Sequence, residues 1–213
     1  MNEDTNIGYW EKVLQAPTPA YKELFTAEHD YLINEIPKDA HVLDVGCGEG
    51  RNMKSIFEVT PYVTGVDNDI AAVEKATNNF QGVATARVVR GEAKSLPFES
   101  ESFDVVTVLM ILPNLDQDKN TVLCEVARVL KSDGFVILST FSEKAFAEKM
   151  KVYKQIDLPI EKTEGTRFQF KNGIVSEQFS LEEIKELANS AGLQVVSHKN
   201  VGQLAYICKL IKI

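Results

Sequence analysis

Cysteine is scarce in this sequence, and the cysteines present form no metal-binding pattern. Cys47, Cys124 and Cys208 lie far apart, no Cys-x-x-Cys pair occurs, and their number is odd. This argues against a disulfide-stabilised secreted domain and against a zinc site, and it suits a reducing compartment. We therefore expect a cytoplasmic protein without a metal centre.

Long apolar runs and an excess of basic residues are also missing. No stretch of about 18 apolar residues occurs, so we expect no membrane-spanning helix, and the polar, acidic N-terminus has no signal-peptide core. The net charge of −8 is opposite in sign to the surface of a nucleic-acid-binding protein. We expect neither a membrane nor a nucleic acid as partner, and a monomer or homodimer.

A glycine-rich turn stands out near the start of the chain. The apolar residues Val42, Leu43 and Val45 are typical of a buried strand, and three glycines follow in a G-x-G-x-G spacing before a helical pattern begins. Such a turn leaves backbone N–H groups for a ligand and lets it approach the main chain closely. Dinucleotide-binding folds use G-x-G-x-x-G instead, and the carboxylate of Asp44 favours a cationic ligand over a pyrophosphate.

The stretch from Val42 to Arg51 resembles the first motif of the class I methyltransferases that use S-adenosylmethionine (SAM). About 20 residues beyond the turn, Asp67 stands where βαβ nucleotide binders place the acid that grips a ribose. Asp67 is also a candidate N-cap of the next helix, and Asn68 beside it is a candidate for the adenine side.

Further motifs of the same family follow in order. Gly91-Glu92-Ala93 resembles the family's Gly-Asp-Ala motif, which implies an adenine contact through the longer Glu92 side chain. The resemblance also places Leu109 and Met110 beside the methyl donor, although core packing explains Met110 as well. The predicted cofactor-binding residues are Asp44, Gly46, Cys47, Gly48, Arg51, Asp67, Asn68, Glu92, Ala93, Leu109 and Met110.

The hydrophobic pattern predicts one α/β domain over residues 1–213. The resemblance implies a three-layer sandwich around a seven-stranded, mostly parallel Rossmann-like sheet, with an antiparallel last strand and the order 3-2-1-4-5-7-6. We predict strands at 42–45, 62–66, 86–90, 105–112, 135–140, 194–201 and 204–211. Helices are predicted at 21–36, 51–59, 70–80, 121–130, 143–153 and 180–191, the last with a Ser180–Glu183 capping box.

The acceptor side is less specified by pattern. Residues 1–36 form an N-terminal lid and helix region, with the first 19 residues either a lid or packing on the sheet edge. Residues 141–179, with a hairpin at Asn172-Gly173, are an insertion that in the family helps form the substrate pocket. Its basic residues, including Lys149, are either a solvated surface or a site for an anionic substrate. The substrate-pocket candidates are Tyr9, Trp10, Tyr21, Asn114, Tyr153 and Arg167.

These features predict a SAM-dependent methyltransferase that acts on a small-molecule acceptor by in-line transfer. Proximity and orientation would supply most of the acceleration. The sequence identifies no catalytic residue, since His29, His41 and His198 lie outside the predicted pocket turns. Two alternatives stay open: an NAD(P)-dependent oxidoreductase, and a module that binds SAM without transferring methyl.

Overall fold

The computed structural model of the chain describes residues 6–171 and 173–213, with side chains described from Trp10 onward. The helices are α1 (Asn6–Gln15), α2 (Pro19–Glu35), α3 (Arg51–Phe57), α4 (Ile70–Asn79), α5 (Lys119–Val129), α6 (Phe146–Gln155) and α7 (Leu181–Ser190). The strands are β1 (Val42–Val45), β2 (Val63–Asp67), β3 (Ala86–Arg90), β4 (Phe103–Leu109), β5 (Leu130–Phe141), β6 (Ile160–Glu164), β7 (Arg167–Phe170), β8 (Val175–Ser176), β9 (Leu193–Val201) and β10 (Ala205–Lys212).

Seven of these strands form one sheet in the order β3-β2-β1-β4-β5-β10-β9. Strands β1 to β5 are parallel to one another, and β10 runs antiparallel to both of its neighbours. Counted along this sheet alone, the order is 3-2-1-4-5-7-6, which confirms the predicted fold class. The strand order reverses between β1 and β4, so the chain segments that follow these two strands run to opposite faces of the sheet. The crevice between them, at the carboxyl ends of the strands, is where α/β sheets bind ligands.

Apolar side chains cover the sheet on both faces. One core cluster joins Leu24 and Leu32 of α2 to Met53 of α3, and the other joins Val126 of α5 to Ile184 of α7. Because β1 and β4 are covered on both sides, their residues are mostly apolar, and the polar ones are Asp44 in β1 and Asp104 and Thr107 in β4. The result is the predicted arrangement of three layers.

The segment of residues 141–179, here called the insertion, forms a small separate sheet. Strands β6, β7 and β8 pair antiparallel in that order, and α6 precedes them. The β7–β8 pairing confirms a hairpin at the predicted place, although Asn172 lies outside the described residues. Strand β6 was not predicted, because its exposed, charged sequence lacks strand periodicity.

The end of β4 departs from the prediction of a strand through Leu112. The strand ends at Leu109, Met110 has a left-handed φ of 59°, and two short 3₁₀ turns follow at Leu112–Asn114 and Asp116–Asp118. The Met110 amide still donates to Ser139 O at 3.0 Å. A left-handed non-glycine residue is strained, and such strain clusters at functional sites.

Two helix starts test the capping predictions. The Ser180–Glu183 capping box of α7 is confirmed. The assignment of Asp67 as the N-cap of α4 is wrong, because Asp69 accepts from the amides of Ala71 and Ala72. Asp67 ends β2 instead, and its carboxylate is directed towards the glycine turn.

As for membrane crossing, each helix within residues 6–171 and 173–213 is too short or too polar to span a bilayer.

Candidate functional site

The glycine turn lies at the carboxyl end of β1 and is tied to β2. The amides of Gly46 and Cys47 both donate to Val66 O, at 2.8 and 3.1 Å, and the Gly50 amide donates to Cys47 O. The Gly48 amide donates to Asp67 Oδ2 at 2.9 Å. The prediction that the turn leaves its N–H groups to a ligand is therefore wrong for these four, because β2 and the turn itself supply their acceptors.

The glycines are nevertheless required for the shape of the turn. Gly46 has a φ of 69°, and a Cβ there would overlap the side chain of Ile111. Gly48 has a φ of 54°, and a Cβ there would meet no described atom within 4 Å. Gly46 is thus glycine for packing, whereas Gly48 borders open space that a ligand can enter.

Asp44 is a buried acid directly below this turn. It is 1% exposed, and its Oδ1 accepts from Thr107 Oγ1 at 2.6 Å, across the β1–β4 pair. Its Oδ2 is buried without a hydrogen-bond partner among the described residues. Burial raises the pKa of Asp44 to about 7, against the opposing effects of the Thr107 hydrogen bond and the Arg51 charge. A buried oxygen without a partner is costly, so the site favours a ligand that supplies a donor or a positive charge.

The predicted ribose and adenine residues lie together at the rim. Asp67 accepts from the Gly48 and Asp69 amides, which leaves each carboxylate oxygen with further acceptor capacity. Burial raises the pKa of Asp67. Asn68 Nδ2 donates to Glu92 Oε2 at 3.4 Å, and both side chains are exposed. The structure therefore brings Asp67, Asn68 and Glu92 to one edge, with Ala93 next along the chain.

Arg51 and Cys47 are engaged differently from the other turn residues. The Arg51 guanidinium pairs with Glu28 of α2, with a 2.6 Å distance from Nη2 to Oε2, and lies over the Phe25 ring. Cys47 is buried, and its Sγ contacts Gly48 O at 3.6 Å. Burial, followed by the nearby charge of Asp44, raises the pKa of the Cys47 thiol. Cys47 is therefore a small packing residue rather than a reactive one.

Sequence reasoning missed two polar residues of this region. Glu28 is 1% exposed and accepts from Ser139 Oγ at 2.6 Å through its second carboxylate oxygen. A signal was present, because Glu28 lies one turn from both Leu24 and Leu32, on the apolar stripe of its helix. The partner, Ser139 on β5, had no such signal.

Three of the six acceptor-side candidates, Trp10, Tyr21 and Tyr153, meet in an aromatic cluster. Tyr21 is fully buried, with its ring near those of Trp10, Phe25 and Phe141. Phe141 ends β5 and begins the insertion. Tyr153 is also buried, packs edge-on against Phe168 and Phe170, and donates to Ser176 Oγ at 3.0 Å. The side chain of Tyr9 lies outside the described residues.

The other two candidates lie in a polar network beside the insertion. Asn114 Nδ2 donates to Val175 O at 2.6 Å. Arg167 Nη1 pairs with Asp116 Oδ1 at 2.6 Å and with Glu177 Oε1 at 3.3 Å. Asn114 and Arg167 thus connect the insertion to the loop after β4, apart from the aromatic cluster.

Among the insertion's basic residues, Lys151, Lys154 and Lys162 are exposed, as the interpretation of a solvated surface expects, whereas Lys149 departs from it. It is fully buried, Nζ donates to Ser176 O at 3.2 Å and Glu177 O at 3.3 Å, and it lies over the Phe141 and Phe168 rings. Burial lowers its pKa well below the usual range, although the Glu177 carboxylate opposes this. The helical spacing of α6 points Lys149 inward together with Val152 and Tyr153.

The three histidines occupy other parts of the structure. His29 contacts Ser55 Oγ at 3.0 Å through Nδ1, His41 stacks on Tyr62, and His198 meets the edge of Tyr206. None of these contacts involves the glycine turn or the aromatic cluster.

Comparisons with known proteins agree with this geometry. The sequence model described as "Methyltransferase domain" matches residues 43–138. A demethylmenaquinone methyltransferase from Tropheryma whipplei is 27% identical over 169 residues, which cover 75% of this chain and 69% of that protein. A biotin biosynthesis bifunctional protein BioHC from Teredinibacter turnerae is 26% identical over 175 residues, 78% of this chain but only 28% of the relative.

Solved structures share the fold. The 1,6-didemethyltoxoflavin-N1-methyltransferase of Burkholderia thailandensis, solved with 1,6-didemethyltoxoflavin and S-adenosylhomocysteine, superposes with a TM-score of 0.72 at 18% identity. The superposition covers 93% of this chain and 80% of that one.

The donor chemistry of the site is consistent with these matches. SAM carries a sulfonium and an ammonium group. These positive charges suit the Asp44 oxygen that no described residue pairs with, and Gly48 leaves open space for the ligand. Of the two ligand classes that use such a turn, the family match selects the sulfonium donor. Residues 43–138 match the methyltransferase-domain model, and the predicted resemblance to the class I SAM-dependent methyltransferases is confirmed.

Proposed function

We propose that this protein transfers the methyl group of SAM to a small-molecule acceptor. The observation that carries the proposal is the buried Oδ2 of Asp44, which has no hydrogen-bond partner among the described residues, below an open glycine turn. The small-molecule class is supported by relatives whose names refer to demethylmenaquinone, biotin biosynthesis and 1,6-didemethyltoxoflavin. The chain's acidity supports the same class, with no nucleic-acid partner.

We assign donor binding to the carboxyl edge of β1 and β2, and call Asp44, Gly46, Gly48 and Asp67 the donor edge. Asp44 would hold the positively charged end, Asp67 the ribose hydroxyls, and Asn68, Glu92 and Ala93 the adenine. Leu109 and Met110, both nearly buried at the end of β4, would border the methyl group. When bound, the sulfonium supplies an already activated methyl group.

The protein's own contribution is alignment and exclusion of water. Trp10, Tyr21 and Phe141 of the aromatic cluster would position the acceptor against the donor edge. Residues 1–36 would form the lid, and residues 141–179 would form the wall of the pocket. Holding two reactants in line can supply roughly 7–11 kcal/mol of the barrier. Because the histidines lie elsewhere, we assign no general base, and we infer an acceptor that ionises readily. We further propose a single domain, a monomer or homodimer, in the cytoplasm.

Two experiments test this function in sequence. Isothermal titration calorimetry should detect SAM binding to the folded protein, and an absence of heat at millimolar SAM would refute the proposal. A panel of thiols, amines, phenols and carboxylates should then reveal an acceptor that releases S-adenosylhomocysteine. Tight SAM binding with no release across the panel would favour a binding module instead.

A further inference from the structure

Glu28 is a buried carboxylate on the apolar face of α2. Both of its oxygens are occupied, one by Ser139 Oγ and the other by Arg51 Nη2, each at 2.6 Å. A buried ion pair adds little to stability compared with apolar residues of the same size, because desolvation offsets the attraction. The pair between Glu28 and Arg51 therefore invites an explanation beyond the attachment of α2.

Arg51 is a cation placed close to the donor edge. It is the first residue of α3, directly after Gly50, and its charge acts on Asp44. Glu28 pairs with one nitrogen of the Arg51 guanidinium, and the central guanidinium carbon lies 4.6 Å from the centre of the Phe25 ring. Residues of α2 therefore hold the Arg51 side chain on two sides. Asp44 meanwhile keeps one oxygen without a partner in the described part of the chain.

The fixed position of Arg51 and the free oxygen capacity of Asp44 are connected. A buried carboxylate without a full set of partners attracts any mobile cation nearby. Released from Glu28, Arg51 would be able to approach Asp44, since it begins α3 just across the glycine turn from β1. A positively charged ligand would then have to compete with a tethered guanidinium for the same carboxylate.

We propose that Glu28 is a positioning residue of the donor site, which holds Arg51 away from Asp44 and keeps that carboxylate available to the donor's positive charge. This rests on the proposed function and deepens it, because α2 becomes part of the donor site although it precedes β1 and the glycine turn in the sequence. Arg51 then serves the site through its pairing with Glu28 and not by contacting the donor. Ser139 fixes the second oxygen of Glu28, so β5 also takes part.

The test is a pair of charge-removing variants whose affinity for SAM is measured by calorimetry. Glu28→Gln keeps an acceptor for Ser139 but releases Arg51, and the affinity for SAM should fall about ten-fold or more. The double variant Glu28→Gln/Arg51→Met removes both charges, and its SAM affinity should return to within about three-fold of the wild type. A purely structural pair predicts the opposite, with the double variant as weak as the single one.

Glu35→Gln is the matched control on the same helix. It removes the 2.8 Å ion pair with Lys209, which ties α2 to β10, and leaves Arg51 untouched. Its SAM affinity should equal the wild-type value. An equal loss in Glu35→Gln, no loss in Glu28→Gln, or no recovery in the double variant overturns the proposal. If Glu28→Gln does not fold, the double variant decides alone, since a loss of its SAM affinity also overturns it. A wild-type protein that does not bind SAM at all would instead refute the proposed function.

Discussion

Asp44 in the donor edge and Lys149 in the insertion are both charged residues buried in this protein, but their surroundings differ. Lys149 directs its ammonium nitrogen at two backbone carbonyls and two phenylalanine rings. Asp44 keeps one oxygen unpartnered within the described residues. The insertion therefore supplies partners for its buried charge, whereas the described residues around Asp44 leave one of its oxygens without a partner. We propose that this contrast separates polar groups that serve the fold from those that serve binding.

The largest expected effect, a loss of SAM affinity confined to the donor edge, comes from Gly48→Ala. A Cβ there meets no described atom but enters the space assigned to the donor, so SAM affinity should fall about 100-fold, equivalent to about 3 kcal/mol. The left-handed backbone should cost about 1–2 kcal/mol of stability. Gly192→Ala is the matched control, because Gly192 also has a positive φ and an open Cβ position but lies after α7. Calorimetry and chemical denaturation should show equal strain in both variants and lost binding in Gly48→Ala alone.

Asp44→Asn should have the next largest effect. The wild-type affinity for SAM should weaken as the pH falls from 8 to 6, because the Asp44 pKa of about 7 leaves the carboxyl neutral at the lower pH. The amide variant should bind SAM about ten-fold more weakly at pH 8 and show a much flatter pH profile. An unchanged pH profile in the variant would assign the titration to another group.

Asp44 also has a predicted effect on stability. Its folded pKa lies above its usual value, so the folded state holds the proton more tightly than the unfolded state. This contribution to the free energy of unfolding is therefore full below about pH 4 and is lost as the pH rises through about 7. Denaturant titrations of the wild type against Asp44→Asn should show the difference.

Lys149→Met tests the other side of the comparison, the buried charge in the insertion. Burial lowers the pKa of Lys149, so holding its charge in the folded state reduces the free energy of unfolding. This reduction is full at pH values below the lowered pKa and disappears as the pH rises from there to the usual pKa of lysine. Methionine has a similar volume and no charge, and the variant should be about 1 kcal/mol more stable at pH 6, with a smaller gain at pH 9. Its SAM affinity should not change. A marked destabilisation at both pH values would show that Lys149 is needed as a hydrogen-bond donor.

The smallest stability effect is expected from Arg167→Gln. The side chain is partly exposed, and its pairing holds the pKa of Asp116 below its usual value. Exposed ion pairs contribute little, so the loss of stability should be under about 1 kcal/mol, with SAM affinity unchanged. If Arg167 lines the acceptor pocket, as predicted from the sequence, KM for the acceptor should rise while the SAM dissociation constant stays constant.

The fold was largely predictable because its signals are contiguous. The glycine turn, the acids at the ends of β1 and β2 and the terminal hairpin each lie within a short stretch, and their order along the chain defines the sheet. That Gly48 and Asp67, which we propose bind the donor, lie next to each other was predictable for the same reason. Side-chain capping was harder, since Asp67 and Asp69 are both plausible caps until the direction of β2 is known.

The rest depends on pairs that are distant in sequence. Glu28 and Ser139 are 111 residues apart, and no local pattern connects them. Lys149 seemed exposed because lysine usually is, and only the packing of β7 against α6 shows its burial. The end of β4 was placed three residues too far, because its apolar run continues past the strained residue Met110. Tertiary packing decides these three cases.

The most direct test of the account is a crystal structure of the protein with S-adenosylhomocysteine. We predict that the ribose hydroxyls contact the Asp67 carboxylate and that the amino-acid end lies over Gly48, with its ammonium directed at Asp44. A nucleoside bound elsewhere, or bound with Asp44 still lacking a partner, would contradict it.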